Sequence, residues 1–257
     1  MTTARTVQGK VALVTGANRG LGAAFVEALM ARGASKVYCG ARDLTKLQPA
    51  LDRFPGRTAA VELDVTDGGQ IRAAGKRWTD VDILISNAGV TYITPLLETN
   101  LADARRVMET NYFGPLQLIY AFADTLRARG GGFIYVLSLA GLLPARGAEL
   151  YSASKAAGSM LGLAAHAALE SVAVSLVYPG LTDTDMMRSA PVAKTPPREV
   201  ADRALDGWER GELSVFPDLH AQLVREALVS EASEVLTDPH GVMRNVSVRY
   251  ARRVADR

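Results

Sequence analysis

Tyr151-Ser-Ala-Ser-Lys155, with Ser138 thirteen residues upstream, is the part of the chain whose residue types and spacing suit proton transfer. In a helix, Tyr151 and Lys155 lie one turn apart on one face. A phenol with an ordinary pKa of ~10 is a weak acid near neutrality. A neighbouring ammonium favours the phenolate and draws that value toward the working range. Ser138 ends the apolar run Phe133-Ile-Tyr-Val-Leu137, placed to hydrogen-bond a substrate oxygen. The three groups suit protonation of a carbonyl oxygen or deprotonation of an alcohol. Either direction needs a hydride partner.

The first forty residues hold a candidate site for one. Val11-Ala-Leu-Val-Thr15 reads as a strand and runs into Gly16-Ala-Asn18-Arg19-Gly20-Leu21-Gly22, after which a helical pattern begins. A glycine-rich turn that opens a helix presents backbone N–H groups and a helix N-terminus to a pyrophosphate.

The elements that must position these residues alternate. Strand-like runs cover Val11–Thr15, Lys36–Gly40, Thr58–Leu63, Val81–Ile85, Phe133–Leu137 and Val172–Tyr178, with helical stretches at 20–32, 43–52, 67–77, 102–128 and 150–170. Several strands are continuously apolar, as expected when helices cover both sheet faces. The pattern predicts one α/β domain over 1–257, a Rossmann-like doubly wound parallel sheet. Ser214–Phe216 reads as a short last strand, 185–200 as a substrate loop and 219–236 as a helix. The tail with Arg244, Arg249, Arg252, Arg253 and Arg257 reads as a solvated or partly disordered terminus.

Composition narrows the function classes. A net charge of +2 from 29 basic and 27 acidic residues gives no reason to expect nucleic acid or an anionic membrane. Cys39 is the only cysteine, so no intrachain disulfide forms, and the three histidines have no metal-ligand spacing. No apolar run reaches the ~20 residues of a membrane span. A cytoplasmic protein without metal is expected.

In the order Thr15 to Gly22, Asn87-Ala88-Gly89, Asn111 and Tyr151/Lys155, the chain resembles the short-chain dehydrogenase/reductase family over about residues 9 to 188. The resemblance implies an oxidoreductase in which Asn111, Ser138, Tyr151 and Lys155 form a catalytic tetrad. Tyr151 would be the acid or base, Ser138 would polarise the carbonyl, and Lys155 would hold the nicotinamide ribose. Asn111 would hold a water linking Lys155 to solvent. Gly16, Asn18, Arg19, Gly20, Leu21 and Gly22 would line the dinucleotide, and Asn87, Ala88 and Gly89 the adenosine ribose. Ser86 stands where the family often has a second Asn. Asp64 and Val65 match a pair placed at the adenine, although Asp64 also reads as a helix cap. Pro179, Gly180, Thr182 and Thr184 match the segment that approaches the carboxamide and phosphates.

NAD-preferring enzymes place an acid at the end of the second strand. Here Ala41 stands there, with Arg42 beside it and Arg19 in the glycine turn. Two guanidinium groups suit a 2′-phosphate, so NADP(H) is the expected cofactor, although either arginine also reads as a solvated surface residue. Tyr92, Ile93, Leu139, Ala140, Leu142, Leu143, Leu181, Met186 and Met187 suggest apolar walls for a small hydrophobic ketone, aldehyde or secondary alcohol. Arg146 and Arg188 keep an acidic substrate open. The helix after Lys155 has no Asp, Glu, Lys or Arg until Glu170. Its second apolar face would meet another subunit, giving a homodimer with a tetramer also possible, or lie under the C-terminal segment. A nucleotide sensor and an NAD-retaining epimerase or dehydratase are the competing functions.

Overall fold

A computed structural model describes residues 5–188 and 192–255. Seven parallel strands form one sheet in the order β3-β2-β1-β4-β5-β6-β7. They are β1 Val11–Thr15, β2 Lys36–Ala41, β3 Thr58–Glu62, β4 Ile83–Ser86, β5 Gly132–Val136, β6 Ala173–Val177 and β7 Ser214–Val215. The helices are α1 Gly20–Ala31, α2 Gln48–Arg53, α3 Gly68–Arg77, α4 Leu101–Met108, α5 Gly114–Arg129, α6 Glu149–Ala168, α7 Pro197–Arg210, α8 Leu219–Ser230, α9 Ala232–Thr237 and α10 Pro239–Ala255.

Burial of both sheet faces explains the apolar strands. Leu13, Leu84, Phe133 and Tyr135 face the core shared with Ile71 of α3 and with Leu118 and Phe122 of α5. Their neighbours Val14, Ile85 and Ile134 face Phe25 and Leu29 of α1 and Leu205 and Trp208 of α7. This period-two division between two cores fixes the register. Strand order reverses between β1 and β4, and a doubly wound sheet binds its ligand at the strand ends beside that point.

Three expectations change. The 102–128 helix is interrupted by a π-helical turn at Glu109–Phe113, which carries Asn111. The 185–200 loop gives way to α7 at Pro197, whose Val200, Ala201, Ala204, Leu205 and Trp208 form a buried stripe. Residues 189–191 of that loop lie outside the described residues. The arginine-rich tail is not a solvated terminus, for α10 buries Val242, Val246 and Tyr250 at i, i+4 and i+8 in the core that holds Leu223, Val224 and Ala227 of α8. Arg249 pairs with Glu231 at 3.1 Å and Arg244 with Asp238 at 3.6 Å; Arg257 lies outside the described residues. The second face of α6 stays uncovered in the single chain, with Met160 and Leu163 exposed, because the C-terminal helices pack together instead. No helix among the described residues is long and apolar enough to cross a membrane.

Candidate active site

The turn after β1 depends on its glycines. Gly20 has φ +53°, a left-handed conformation that costs side-chain-bearing residues energy. A Cβ on Gly22 would lie 2.0 Å from the carbonyl oxygen of Gly16, so α1 can start this close to the turn only without a side chain. Thr15 ties this turn to the end of β4: its hydroxyl oxygen accepts the N–H groups of Asn87 and Ala88, both at 3.0 Å. Asn87 Nδ2 donates back to the Thr15 carbonyl at 2.9 Å.

The turn opens into a cavity of about 1150 Å³ along the C-terminal strand ends. Every residue expected at the cofactor lines it, from Gly16 through Thr184, and so does Ser138, whereas Asn111 does not. Asn111 stands fully buried behind the wall. Its amide oxygen accepts Val90 N–H and its Nδ2 donates to Val90 O and Ser154 Oγ, each at 2.9 Å. Its backbone carbonyl accepts the Tyr135 hydroxyl at 2.5 Å. The residue thus clamps the β4 loop to α6. The expected water would have to use a remaining oxygen lone pair, because both amide protons are committed.

Ser138, Tyr151 and Lys155 meet where β5 passes under α6. A short 3-10 turn, Leu139–Gly141, follows Ser138, and a Cβ on Gly141 would fall 2.7 Å from the Lys155 backbone. That absence of a side chain lets the serine turn lie directly on the helix. The Ser138 hydroxyl faces Tyr151 closely enough to favour its phenolate, and it accepts the Ala140 N–H at 3.2 Å. Lys155 Nζ donates to the Val136 carbonyl at 2.9 Å and lies 5.7 Å from the Tyr151 ring centre. The expected lowering of the phenol pKa is not what this arrangement gives. Burial pushes Tyr151 up, with the neighbouring Ser138 hydroxyl opposing, and burial pushes Lys155 down to about 8. Desolvation penalises the phenolate and the ammonium alike.

At the opposite end, Ala41 leaves the end of β2 without an acid, and Arg19, Arg42 and Lys46 line the cavity. Lys46 was not among the residues singled out from the sequence; it pairs with Asp43 at 3.2 Å. Arg19 bonds Asp185, on the segment after β6, at 3.1 Å across an exposed gap. Asp64 lines the cavity while its carboxylate accepts Thr66 N–H and Oγ1–H, which closes a local turn and is not the helix cap of the alternative reading. The cap of α3 is Asp67. Thr182 Oγ1 is buried with no partner, and buried hydroxyls normally have one. An open glycine cradle, an unpartnered hydroxyl and three cations fit a dinucleotide.

Among the proposed apolar walls, Ile93, Leu139, Ala140, Leu181, Met186 and Met187 line the cavity. Leu142 and Leu143 belong to the core, and Tyr92 instead receives a hydrogen bond from Arg106 at 3.1 Å. Arg188 pairs with Asp185, whereas Arg146 faces the cavity. Sequence reasoning missed a whole wall: His220 of α8 and His240, Met243, Arg244, Ser247 and Val248 of α10. The spacing 240, 244, 248 is one helical stripe, but no motif announces it. Among the described residues no group of three or more metal-binding side chains occurs.

A family profile described as short chain dehydrogenase matches residues 10–194. The chain is similar to a short chain dehydrogenase from Burkholderia cenocepacia J2315 solved in complex with NADP, at 39% identity and TM-score 0.85 over 90% of this chain and 97% of that one. It is also similar to a short-chain dehydrogenase from Sphingobium yanoikuyae in complex with NADPH, at 26% identity and TM-score 0.77, covering 89% and 95%. Among curated proteins it is 35% identical over 215 residues to the 3-oxoacyl-(acyl-carrier-protein) reductase FabG of Vibrio cholerae, covering 76% of this chain and 88% of that one.

Proposed function

The chain belongs to the short-chain dehydrogenase/reductase family of oxidoreductases, and on that premise we propose that it is an NADP(H)-dependent carbonyl reductase or alcohol dehydrogenase. The observation that carries this reading is the meeting of Tyr151, Ser138 and Lys155 at the wall of the cavity that also holds the glycine turn. When bound, NADP(H) supplies or accepts the hydride. The glycine turn, Asn87 to Gly89, and Thr182 to Thr184 hold it, and Arg19 and Arg42 select the 2′-phosphate.

In reduction, Tyr151 donates its hydroxyl proton to the substrate oxygen as that oxygen gains charge. Ser138 donates a hydrogen bond to the same oxygen and fixes its position. The Lys155 ammonium stabilises the phenolate that remains, and Asn111 keeps the β4 loop and α6 in register. In oxidation the same groups work in reverse, with the Tyr151 phenolate as base. Leu139, Leu181, Met186 and Met187 exclude water and favour an apolar carbonyl compound. The exposed Phe113 and Tyr120 with Met160 and Leu163 are suited to a homodimer. The lone cysteine is consistent with a reducing, cytoplasmic setting. The test is kcat/KM with NADPH and with NADH over a panel of hydrophobic ketones, aldehydes and quinones. The reading requires turnover that is faster with NADPH, and turnover confined to NADH would overturn the cofactor assignment.

A further inference from the structure

The wall formed by α8 and α10 lies beyond the 10–194 family match, and its chemistry differs from the apolar middle of the cavity. Met243 and Val248 continue the apolar lining, but Arg244 adds a cation on the same helix. Arg146 adds a second, on the loop that leads into α6.

Arg146 and Arg244 line the same cavity, one from the loop before α6 and the other from α10. Arg146 has no ion pair or hydrogen bond among the described residues, and the exposed contact of Arg244 with Asp238, at 3.6 Å, is a weak one. The three carboxylates that line the cavity are engaged elsewhere. Asp43 pairs with Lys46, Asp185 with Arg19 and Arg188, and Asp64 with Thr66. A second observation points to a polar ligand on this wall. His220 is 7% exposed and lines the cavity, its ring stacked on Tyr250 at 4.9 Å, and neither ring nitrogen has a partner. Buried imidazoles without partners are rare, and each calls for a reason.

We propose that the substrate is an apolar carbonyl compound with a carboxylate remote from the reacting carbonyl, and that Arg244 and Arg146 bind this carboxylate. The inference rests on the reductase reading for the carbonyl and on the α10 wall for the anion. Guanidinium groups recognise carboxylates through charge-assisted, often bidentate bonds. Specificity is thereby assigned to the C-terminal helix together with the loop between Ser138 and Tyr151.

The experiment pairs aryl keto acids having two to five methylenes between carbonyl and carboxylate with their methyl esters and phosphate-terminated analogues. NADPH oxidation is followed for wild type and for Arg244→Gln and Arg146→Gln. The expected result is a kcat/KM at least tenfold higher for an acid than for its ester, arising in KM. In either variant that ratio falls at least tenfold, and added salt erodes it. Equal rates for acids and esters, or an unchanged ratio in both variants, would overturn the proposal, and preference for the phosphate analogues would overturn the carboxylate. If no compound is reduced, the reductase reading fails by itself. Calorimetric binding of the keto acids to the protein with NADPH then decides the subsite. Acid binding that is tighter than ester binding and lost in Arg244→Gln supports it, and its absence overturns it.

Discussion

The amino group of Lys155 lies 5.7 Å from the centre of the Tyr151 ring and is held there by the Val136 carbonyl at 2.9 Å. The lysine is therefore positioned by the backbone of β5. Burial lowers its pKa to about 8 and raises that of Tyr151, so near neutrality the pair is ammonium and phenol, the state needed to give a proton. As pH rises through about 8, Lys155 loses its charge while Tyr151 keeps its proton. We predict that kcat/KM for carbonyl reduction falls above about pH 8. A pH–rate profile measured with saturating NADPH checks this, and a rate that holds level to pH 10 would show that the lysine charge is not required.

Gly141 tests how the serine turn is seated. A Cβ there would press on the Lys155 backbone at 2.7 Å, which is backbone and cannot swing aside. Gly141→Ala should cost about 1–3 kcal/mol of stability and displace Ser138 from Tyr151. Urea unfolding together with kcat should show both losses. A variant of wild-type stability and activity would mean that the turn has slack.

His220 gives a pH dependence of stability. Burial lowers its folded pKa to about 4, against ~6.5 in an unfolded chain. Between these values the unfolded state binds more protons. The contribution is therefore complete above about pH 6.5 and is lost as pH falls toward 4, up to about 3 kcal/mol. His220→Phe keeps the stack on Tyr250 and removes the titration. Urea unfolding at pH 7.5 and pH 5 should show a steeper loss for wild type than for the variant, and parallel losses would contradict this.

Cofactor choice can be tested at Arg42. If it meets the 2′-phosphate, Arg42→Ala should lower kcat/KM for NADPH about ten- to a hundredfold and change that for NADH little, the range expected for one charged hydrogen bond. Steady-state kinetics with both cofactors decides the point, and equal losses would remove Arg42 from the phosphate site.

Cys39 should be inert. It is buried in β2 and its thiol is pushed up to about 12, so almost no thiolate forms near neutrality. A thiol reagent should leave it unmodified until the protein is unfolded in guanidinium.

The sheet was legible because β1, β4 and β5 are largely apolar runs, the pattern of strands in a parallel sheet covered by helices on both faces. The site was legible because the glycine turn, Asn87, Ser138, Tyr151 and Lys155 recur in a fixed order. The α10 wall was not. Arg244, Arg249 and Arg252 give that stretch the look of a solvated tail, while its core side, Val242, Val246 and Tyr250, is only three residues wide. Helix α7 was missed for another reason. Two prolines at its start suggest a loop, although Val200, Ala201, Ala204, Leu205 and Trp208 have clear helical spacing and Pro197 suits a first helical position. The π-helical turn around Asn111 has no signature in residue type.

Tyr151→Phe tests the central claim most directly. NADPH oxidation by wild type and variant is compared on the best carbonyl substrate, with NADPH binding measured in both. The account predicts intact binding and a rate reduced at least about a hundredfold, the usual worth of a positioned acid. A variant that reduces the carbonyl at the wild-type rate would show that the proton comes from elsewhere.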